Sequence, residues 1–438
     1  MDNIDNKRCI FADISNSSNN EFDVSIRNRN IADVISNSSN DEFDVSIRNK
    51  RCILHIDMNN FYASVECLLN PSLKNYAVAV AGDPNKRTGI ILAKNYLAKV
   101  YGVKTGDVIW EAKQKCPTLI TVAPHHELYA EISEKAHEIY YRYTDLIEPF
   151  GIDECWLDVT DSLKFFDCSG VELAEKIQKQ VKEELGLSVS VGVSWSKTLA
   201  KLGSDLKKPM GLTEINENNH IDIIKKLKIE DMIMIGRHTA KKLHEMNINT
   251  LYDLFLLSPE FLRQHFGVVG ITLHNAVSGI DDDKLVVPKD EDTKSVGNGS
   301  TAVHDMTELE EIKNFLHDLA TKVSMRLRKH GFSAKTVHLT IKFANFTYAS
   351  AQNSFNYHFS NEHDIYKHAL ELFLSLAGEK FEPVRALRIC TTNLIVKQGK
   401  EQINLFADTK NENLCRAIDS LKQKYGENVI SLAKDCEL

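Results

Sequence analysis

The stretch Ile147-Glu148-Pro149-Phe150-Gly151-Ile152-Asp153-Glu154-Cys155-Trp156-Leu157-Asp158-Val159 constrains this 438-residue chain more than any other. Apolar and β-branched residues flank two adjacent carboxylates, and Pro149 and Gly151 mark a turn before them. The pattern predicts a β-hairpin with Asp153 and Glu154 near its tip. Neighbouring side chains on a regular strand point to opposite faces, so the two acids converge only where the backbone turns. Two bare carboxylates this close repel, and a hard divalent cation with oxygen ligands is the usual compensation. A solvated turn is the plainer alternative, since acids often populate turns.

Hydrophobic residues at 43% and charged residues at 26% are ordinary for a soluble chain of roughly two to four domains. No apolar run approaches a membrane span, and the N-terminus, with Asp2 and Asp5, is no secretory signal. Nine cysteines without a Cys-x-x-Cys pair argue against structural zinc and for reduced thiols in a cytoplasmic setting. The net charge of −8 speaks against a nucleic-acid partner, but a phosphate backbone responds to where the basic residues sit. Residues 293–400 hold 14 Lys and Arg against 10 Asp and Glu. Within them, 321–342 carries Lys322, Arg326, Arg328, Lys329, Lys335 and Lys342 and no acid. This predicts a phosphate-tracking surface across a helix and the strand Thr336–Phe343, with affinity that falls as salt rises.

Residues 1–50 contain a tandem repeat: Ile14–Asn28 and Ile35–Asn49 differ only at Asn20 against Asp41. Two Ser/Asn-rich copies are too few for a solenoid, so a disordered appendage is expected. Cys52–Asp57 reads as a strand ending in a carboxylate, followed by a helix entered through an Asn cap, with N–H groups from Met58 onward free to cradle phosphate. Arg87–Val103 reads as a strand and a helix ending at Gly102, with Tyr96 and Lys99 three apart on one face. Helices are expected over Glu127–Tyr143 and Val171–Leu185, and a strand over Ser188–Val193. Ser196 caps a helix that puts Lys197 and Lys201 on one face, either reaching phosphate or forming a solvated basic face. Ile229–Phe255 reads as two helices joined by a turn at Gly236 that presents N–H groups to a DNA phosphate. Residues 284–292 read as a linker. Gln402-Ile403-Asn404-Leu405-Phe406 follows the last strand, as expected of an exposed peptide that docks Leu405 and Phe406 in a partner's pocket.

Asp57 with Phe61-Tyr62-Ala63-Ser64-Val65-Glu66, Asn95-Tyr96, Ile152-Asp153-Glu154, and Ser196-Lys197 through Ala200-Lys201 to Lys208-Pro209-Met210-Gly211 occur in an order that resembles the Y-family DNA polymerases. The likeness is to the bacterial DinB, or polymerase IV, branch, and covers Arg51 to Phe406. It implies an α+β multidomain right-hand polymerase: palm at 51–60 and 125–213, small fingers at 61–124, helical thumb at 214–283 and a little finger at 293–400. Residues 401–438 hold the peptide and a tail. By resemblance Asp57, Asp153 and Glu154, with the Met58 carbonyl, hold two Mg²⁺ ions, and Mn²⁺ is accepted by the same oxygens. Tyr62, the steric gate, sits under the sugar, Phe61 is a further substrate-binding position, and Tyr96, Lys99 and Lys197 hold the triphosphate. Gln402, Leu405 and Phe406 match the sliding-clamp peptide. The implied partners are primed DNA, deoxynucleoside triphosphates and the clamp, for a cytoplasmic monomer performing low-fidelity translesion synthesis without a proofreading exonuclease. Three positions depart from the family pattern: Lys99 stands for Arg, Asn60 for an aromatic, and Met234 for a glycine. A nucleotide cyclase is the rival enzyme reading, opposed by the basic C-terminal region. A clamp-tethered DNA-binding factor with a decayed site is the non-enzymatic rival, opposed by the three carboxylates.

Overall fold

A computed structural model describes residues 51–83, 87, 89–280, 284–287, 293–396 and, near the C-terminus, 417, 418, 420, 421, 424–426, 429 and 430. The repeat before residue 51 and the peptide Gln402–Phe406 lie outside the described residues. The chain divides into two units, one over Ile215–Asp282 and the other over Arg51–Glu214 with the segment from Asp283 onward.

In the larger unit, β1 (Ile53–Met58) is followed by α1 (Phe61–Leu69), β2 (Val78–Ala81), β3 (Ile91–Lys94), α2 (Tyr96–Val100), α3 (Ile109–Lys115) and β4 (Ile120–Val122). Next come α4 (His126–Tyr140), β5 (Ile147–Pro149), β6 (Glu154–Asp158), α5 (Ser162–Phe166), α6 (Gly170–Leu185), β7 (Val189–Ser194), α7 (Lys197–Leu206) and β8 (Leu212–Glu214). The palm sheet has the order β5-β6-β1-β7-β8. Every residue of β1 and of β7 is buried, as expected of central strands covered on both faces. Leu54, Ile56, Val191 and Leu157 pack against Tyr129, Ile139, Leu173 and Ile177 of α4 and α6. The opposite face is covered by α7, which can approach because Gly192 on β7 has no side chain. A Cβ there would lie 1.9 Å from the Ala200 carbonyl oxygen.

The fingers are a separate three-stranded sheet, β3-β2-β4, over a small core that includes Ala77, Ala79, Ala81, Ala98 and Ala112. Asn60 precedes α1, but in the left-handed region with no side-chain cap bond (φ 50°). The Met58 and Asn59 N–H groups, expected to be free for phosphate, are taken by the Asp153 and Ser188 carbonyls at 2.9 Å each.

The C-terminal part of this unit comprises β9 (Ser295–Met306), α13 (Leu309–Lys329), β10 (Phe332–Phe343), β11 (Tyr348–Phe359), α14 (Glu362–Ala377) and β12 (Val384–Thr392), the numbers α8–α12 belonging to the smaller unit. Its antiparallel sheet runs β11-β10-β12-β9. Val337, Leu339 and Ile341 face the core with α13 and α14 residues. Alternation along β10 puts Thr340 and Lys342 on the open face.

The smaller unit is helical: α8 (His220–Ile224), α9 (Arg237–Glu245), α10 (Leu251–Phe255), α11 (Pro259–Phe266) and α12 (Val268–Ser278). The first of the two helices expected around Gly236 is only a three-residue 3-10 turn, Ile229–Asp231. The Asp231 carboxylate caps its start, accepting the Lys228 N–H at 2.8 Å, but Met232 is already extended. Met234, where a glycine was expected, has φ 71°, a conformation that glycine adopts at least cost. Gly236 has an ordinary φ of −80° as the residue before α9, and a Cβ there would meet nothing within 4 Å.

Candidate active site

Asp57, the next-to-last residue of β1, lies directly opposite Glu154, the first residue of β6. Cross-strand partners share a face, so these two carboxylates converge without any turn. Asp153 precedes β6 in the tight loop where the Phe150 and Gly151 N–H groups both donate to the Glu154 carbonyl, at 2.9 and 3.2 Å. The pair Asp153-Glu154 therefore straddles the point where the hairpin leaves its turn.

Two lysines answer this negative charge. Lys201 Nζ lies 2.8 Å from Glu154, 3.2 Å from Asp205 and 3.4 Å from Asp57, and Lys208 Nζ lies 2.7 Å from Asp57 and 2.9 Å from Asp205. Lys201 is 6% exposed, so it is no solvated basic face. Burial raises the Asp57 pKa to about 6 against the pull of Lys208. Burial also works to raise Glu154, but His55 and Lys201 hold it well below the usual carboxylate range. Asp153 is raised by burial and by the charge of Glu154.

His55 completes the buried cluster. Its Nδ1 is 2.8 Å from Ser204 Oγ. Ser204 donates its hydroxyl to the Lys201 carbonyl at 2.8 Å, so it accepts from His55. The His55 Nε2 then faces Glu154 Oε2 at 3.4 Å. The sequence points to Lys201 only as a lysine that reaches phosphate or forms a solvated face, and to Lys208 only as part of a family motif; it does not single out His55 and Asp205.

Tyr62 stacks on Tyr129, with centroids 4.2 Å apart and planes at 15°, and the tilted Phe61 ring lies 5.6 Å away. The Tyr129 hydroxyl donates to Glu66, which also binds His125 Nδ1 at 2.8 Å. Burial and the charge of Asp153 raise the Tyr62 pKa. Tyr96 donates its hydroxyl to Asn59 Oδ1 at 3.3 Å and feels both Lys208 and Asp57. Lys99 Nζ sits 5.7 Å from the Tyr96 ring centroid. Lys94, also missed, has its pKa lowered by burial and by the Lys99 charge. Two ammonium groups held in mutual repulsion favour an anion.

Lys197 is placed differently from expectation. Its Nζ is 2.6 and 2.8 Å from the Glu148 carboxylate oxygens and 4.8 Å from the Trp156 ring centroid, so its charge is already answered. The ammonium beside Asp57 is that of Lys208.

The six basic residues expected on one surface are divided. Lys322, Arg326 and Lys329 share an exposed face of α13, with Arg326 donating to the Gly297 carbonyl at 2.8 Å. Arg328 is half-buried and bound to Ser324 and to the Ser360 carbonyl. Lys335 is half-buried on β10. Lys342, with Arg388 and Arg326, lines a cavity of about 610 Å³ beside Gly297 and Gly299.

Among the described residues, no three His, Cys, Asp or Glu side chains surround a common point closely enough to hold a metal ion. The donor chemistry nevertheless fits a divalent cation: buried carboxylates face one another, and ammonium groups lie between them where a cation compensates. Among the described residues no helix is long and apolar enough to cross a membrane.

The family described as impB/mucB/samB matches residues 56–205, its C-terminal domain matches 293–405, and the thumb domain described for DNA polymerase-iota matches 231–281. The chain is 42% identical to a DNA polymerase IV of Acetivibrio thermocellus, over 86% of this chain and 95% of that protein. It is 36% identical to DNA polymerase IV 1 of Bacillus subtilis, over 87% and 92%. A solved Y-family DNA polymerase chimera superposes with a TM-score of 0.71 at 26% identity, over 79% of this chain and 99% of that one. A chain with these acids on two paired strands, with a three-stranded fingers sheet, a helical thumb unit and a C-terminal little-finger sheet, and with this extent of identity belongs to the Y family of DNA polymerases, in its DinB-type branch.

Proposed function

We propose that this chain is a DNA-directed DNA polymerase that extends primed DNA by two-metal nucleotidyl transfer, copies damaged templates at low fidelity and is recruited by a sliding clamp. The observation that carries the reading is the register pair Asp57 and Glu154, with Asp153 beside them and Lys208 and Tyr96 across from them. Two divalent cations held by Asp57, Asp153, Glu154 and the Met58 carbonyl would lower the pKa of the primer 3′-hydroxyl and neutralise the triphosphate. Mg²⁺ is the expected ion, and Mn²⁺ suits the same oxygens.

The chain's own residues position the reactants. Tyr96, Lys99 and Lys197 hold the incoming triphosphate, Lys197 exchanging Glu148 for phosphate, and Lys208, which bridges Asp57 and Asp205, is a further cation beside the acids. The Tyr62 ring, stacked on Tyr129, closes the floor of the site to a 2′-hydroxyl, with Phe61 fixing its back. The alanine-rich fingers core and the five- and seven-residue helices α2 and α3 enclose a nascent pair loosely, which favours mispairs and lesions. Open space over Gly236 lets a DNA phosphate approach the start of α9. Lys342 and Arg388 on the little-finger sheet, with Lys322, Arg326, Lys329 and Lys335 around it, supply the salt-dependent attraction to DNA; Arg328 is an anchor. The clamp assignment rests on the spacing of Gln402, Leu405 and Phe406 after the last domain. We place the protein in the cytoplasm as a monomer.

The test is primer extension on a primed template with Mg²⁺, comparing the parent with an Asp153→Asn, Glu154→Gln double variant. Extension by the parent alone is expected. Binding of DNA by both without extension by either would refute the enzymatic reading. Deleting Gln402–Phe406 should abolish stimulation by the clamp while sparing distributive synthesis; a clamp that still stimulates would reject the peptide.

A further inference from the structure

The turn between β10 and β11 is built against its own backbone preferences. Phe346 sits at φ 67°, a left-handed conformation that a turn selected for stability alone would give to Gly or Asn. The ring does not gain burial in return, since Phe346 is 60% exposed and Tyr348 65% exposed. The turn is nevertheless fastened on both sides. Asn345 Oδ1 accepts from the Thr347 N–H at 2.9 Å, its Nδ2 donates to Glu382 at 2.8 Å, and the Ala344 N–H donates to the Pro383 carbonyl at 2.8 Å. A rigid turn thus holds two large aromatic rings in solvent.

Both rings are flanked by positive charge. Lys342 Nζ lies 4.9 Å from the Phe346 centroid and 5.1 Å from that of Tyr348, and Arg385 Cζ lies 4.9 Å from Phe346. Exposed aromatics interleaved with cations are the pattern that binds single-stranded nucleic acid, where unpaired bases offer free π-faces and each base brings its own phosphate. Duplex bases are already stacked on one another and gain nothing from such rings. The location agrees. Asp305, whose neighbour Met306 pairs with Val384, accepts Arg87 of the fingers at 2.7 and 3.4 Å. This end of the little-finger sheet therefore meets the fingers, which on the polymerase reading enclose the nascent pair.

Resting on the polymerase reading above, we propose that Phe346 and Tyr348, with Lys342 and Arg385, form a stacking platform for an unpaired template base ahead of the active site. The platform fixes the path of the uncopied strand and is distinct from contacts to the finished duplex. Lys342 and Arg385 turn from the rings to the phosphates that flank the stacked base.

The test measures binding of the full-length protein, by fluorescence anisotropy, to a primer–template with a 5′ overhang of about eight nucleotides, within the usual site size, and to a blunt duplex of the same paired length. The parent should prefer the overhang. Phe346→Ala with Tyr348→Ala should reduce that preference about tenfold, the scale of one lost base stack, with blunt-duplex affinity unchanged. Phe346→Trp should retain the preference, which separates loss of the platform from loss of the fold. A 2-aminopurine in the overhang should be quenched by the parent and not by the double variant. An overhang preference unchanged in the double variant, or no quenching by a parent that still extends primers, would overturn the platform and leave the polymerase intact. Failure of the parent to extend any primer would overturn the reading beneath both.

Discussion

Replacing Lys201 by Met removes one positive charge from the centre of the acidic cluster while keeping most of the volume of the side chain. Lys201 is 6% exposed and contacts Glu154, Asp205 and Asp57 at 2.8, 3.2 and 3.4 Å. Removing one partner from a buried ion cluster costs about 3–5 kcal/mol. Lys208 still holds Asp57 and Asp205, so Glu154 is the acid that loses its nearest cation, and the lower end, about 3 kcal/mol, is expected. Mg²⁺ should return part of this loss, because it takes the place the ammonium has left. A ligand at ten times its dissociation constant stabilises by about 1.4 kcal/mol, and at a hundred times by about 2.7 kcal/mol. The parent, whose ammonium competes with the ion, should gain at least about 1 kcal/mol less than the variant, the effect of a tenfold weaker affinity. Urea unfolding followed by the fluorescence of the buried Trp156, run in EDTA and in Mg²⁺, measures both quantities. Equal gains from Mg²⁺ in the two proteins would refute the idea that lysine and metal exchange at these carboxylates. A loss below about 1 kcal/mol in EDTA would refute the need for Lys201.

Tyr62→Ala should raise ribonucleotide incorporation with little change in deoxynucleotide use, and unchanged sugar discrimination in single-nucleotide insertion assays would remove the gate from Tyr62. Met234→Gly relieves a left-handed strain of about 1–2 kcal/mol against about 0.5–1 kcal/mol of added backbone entropy; thermal unfolding of the thumb should move up, and a lower midpoint would contradict the strain. His244 is raised above its ordinary pKa of 6.5 by Glu230, and Glu230 is lowered below 4.5 by His244. The histidine contribution is whole below pH 6.5 and lost as pH rises through its raised value. The glutamate contribution is whole above pH 4.5 and lost as pH falls through its depressed value. The advantage of the parent over Glu230→Gln in thumb stability should therefore peak between these pH values, and a pH-independent difference would show that the pair carries none of it.

Elements whose pattern was forced by one environment were legible. β1 and β7 are rich in apolar residues and buried at every position because both of their faces are covered. The start of α6 carries a complete capping box between Ser169 and Glu172, and its end carries Gly186 at φ 68°. The expected first thumb helix was not there, although its apolar residues do face the core. Ile229, Met232 and Ile235 are all buried, but a spacing of three is met equally by a helix and by a short 3-10 turn followed by extended chain. Periodicity reported which side chains go inward and left the backbone path open.

The carboxylates were legible for a similar reason: a charged residue at the end of an apolar strand has few other purposes. Their counterions were not, because a helix reports the face on which its lysines lie and says nothing of what that face meets. Lys197 and Lys201 are four apart and do share a face, yet one reaches Glu148 and the other Glu154, acids that lie on β5 and β6 around Trp156. Whether such a face meets solvent or a sheet depends on how closely the helix can approach, and that is set on the strand. Gly192 decides it: a side chain there would collide with the Ala200 carbonyl at 1.9 Å and the Ser204 N–H at 2.5 Å. With glycine, the backbone of α7 settles onto β7, Ser204 comes within reach of His55, and Lys201 is carried inward to Glu154. A lone glycine inside a fully buried strand, Val189–Ser194, is the mark of a close backbone approach. The approach of α7 onto Gly192, and not the spacing of its lysines, therefore decides that Lys201 ends among the acids.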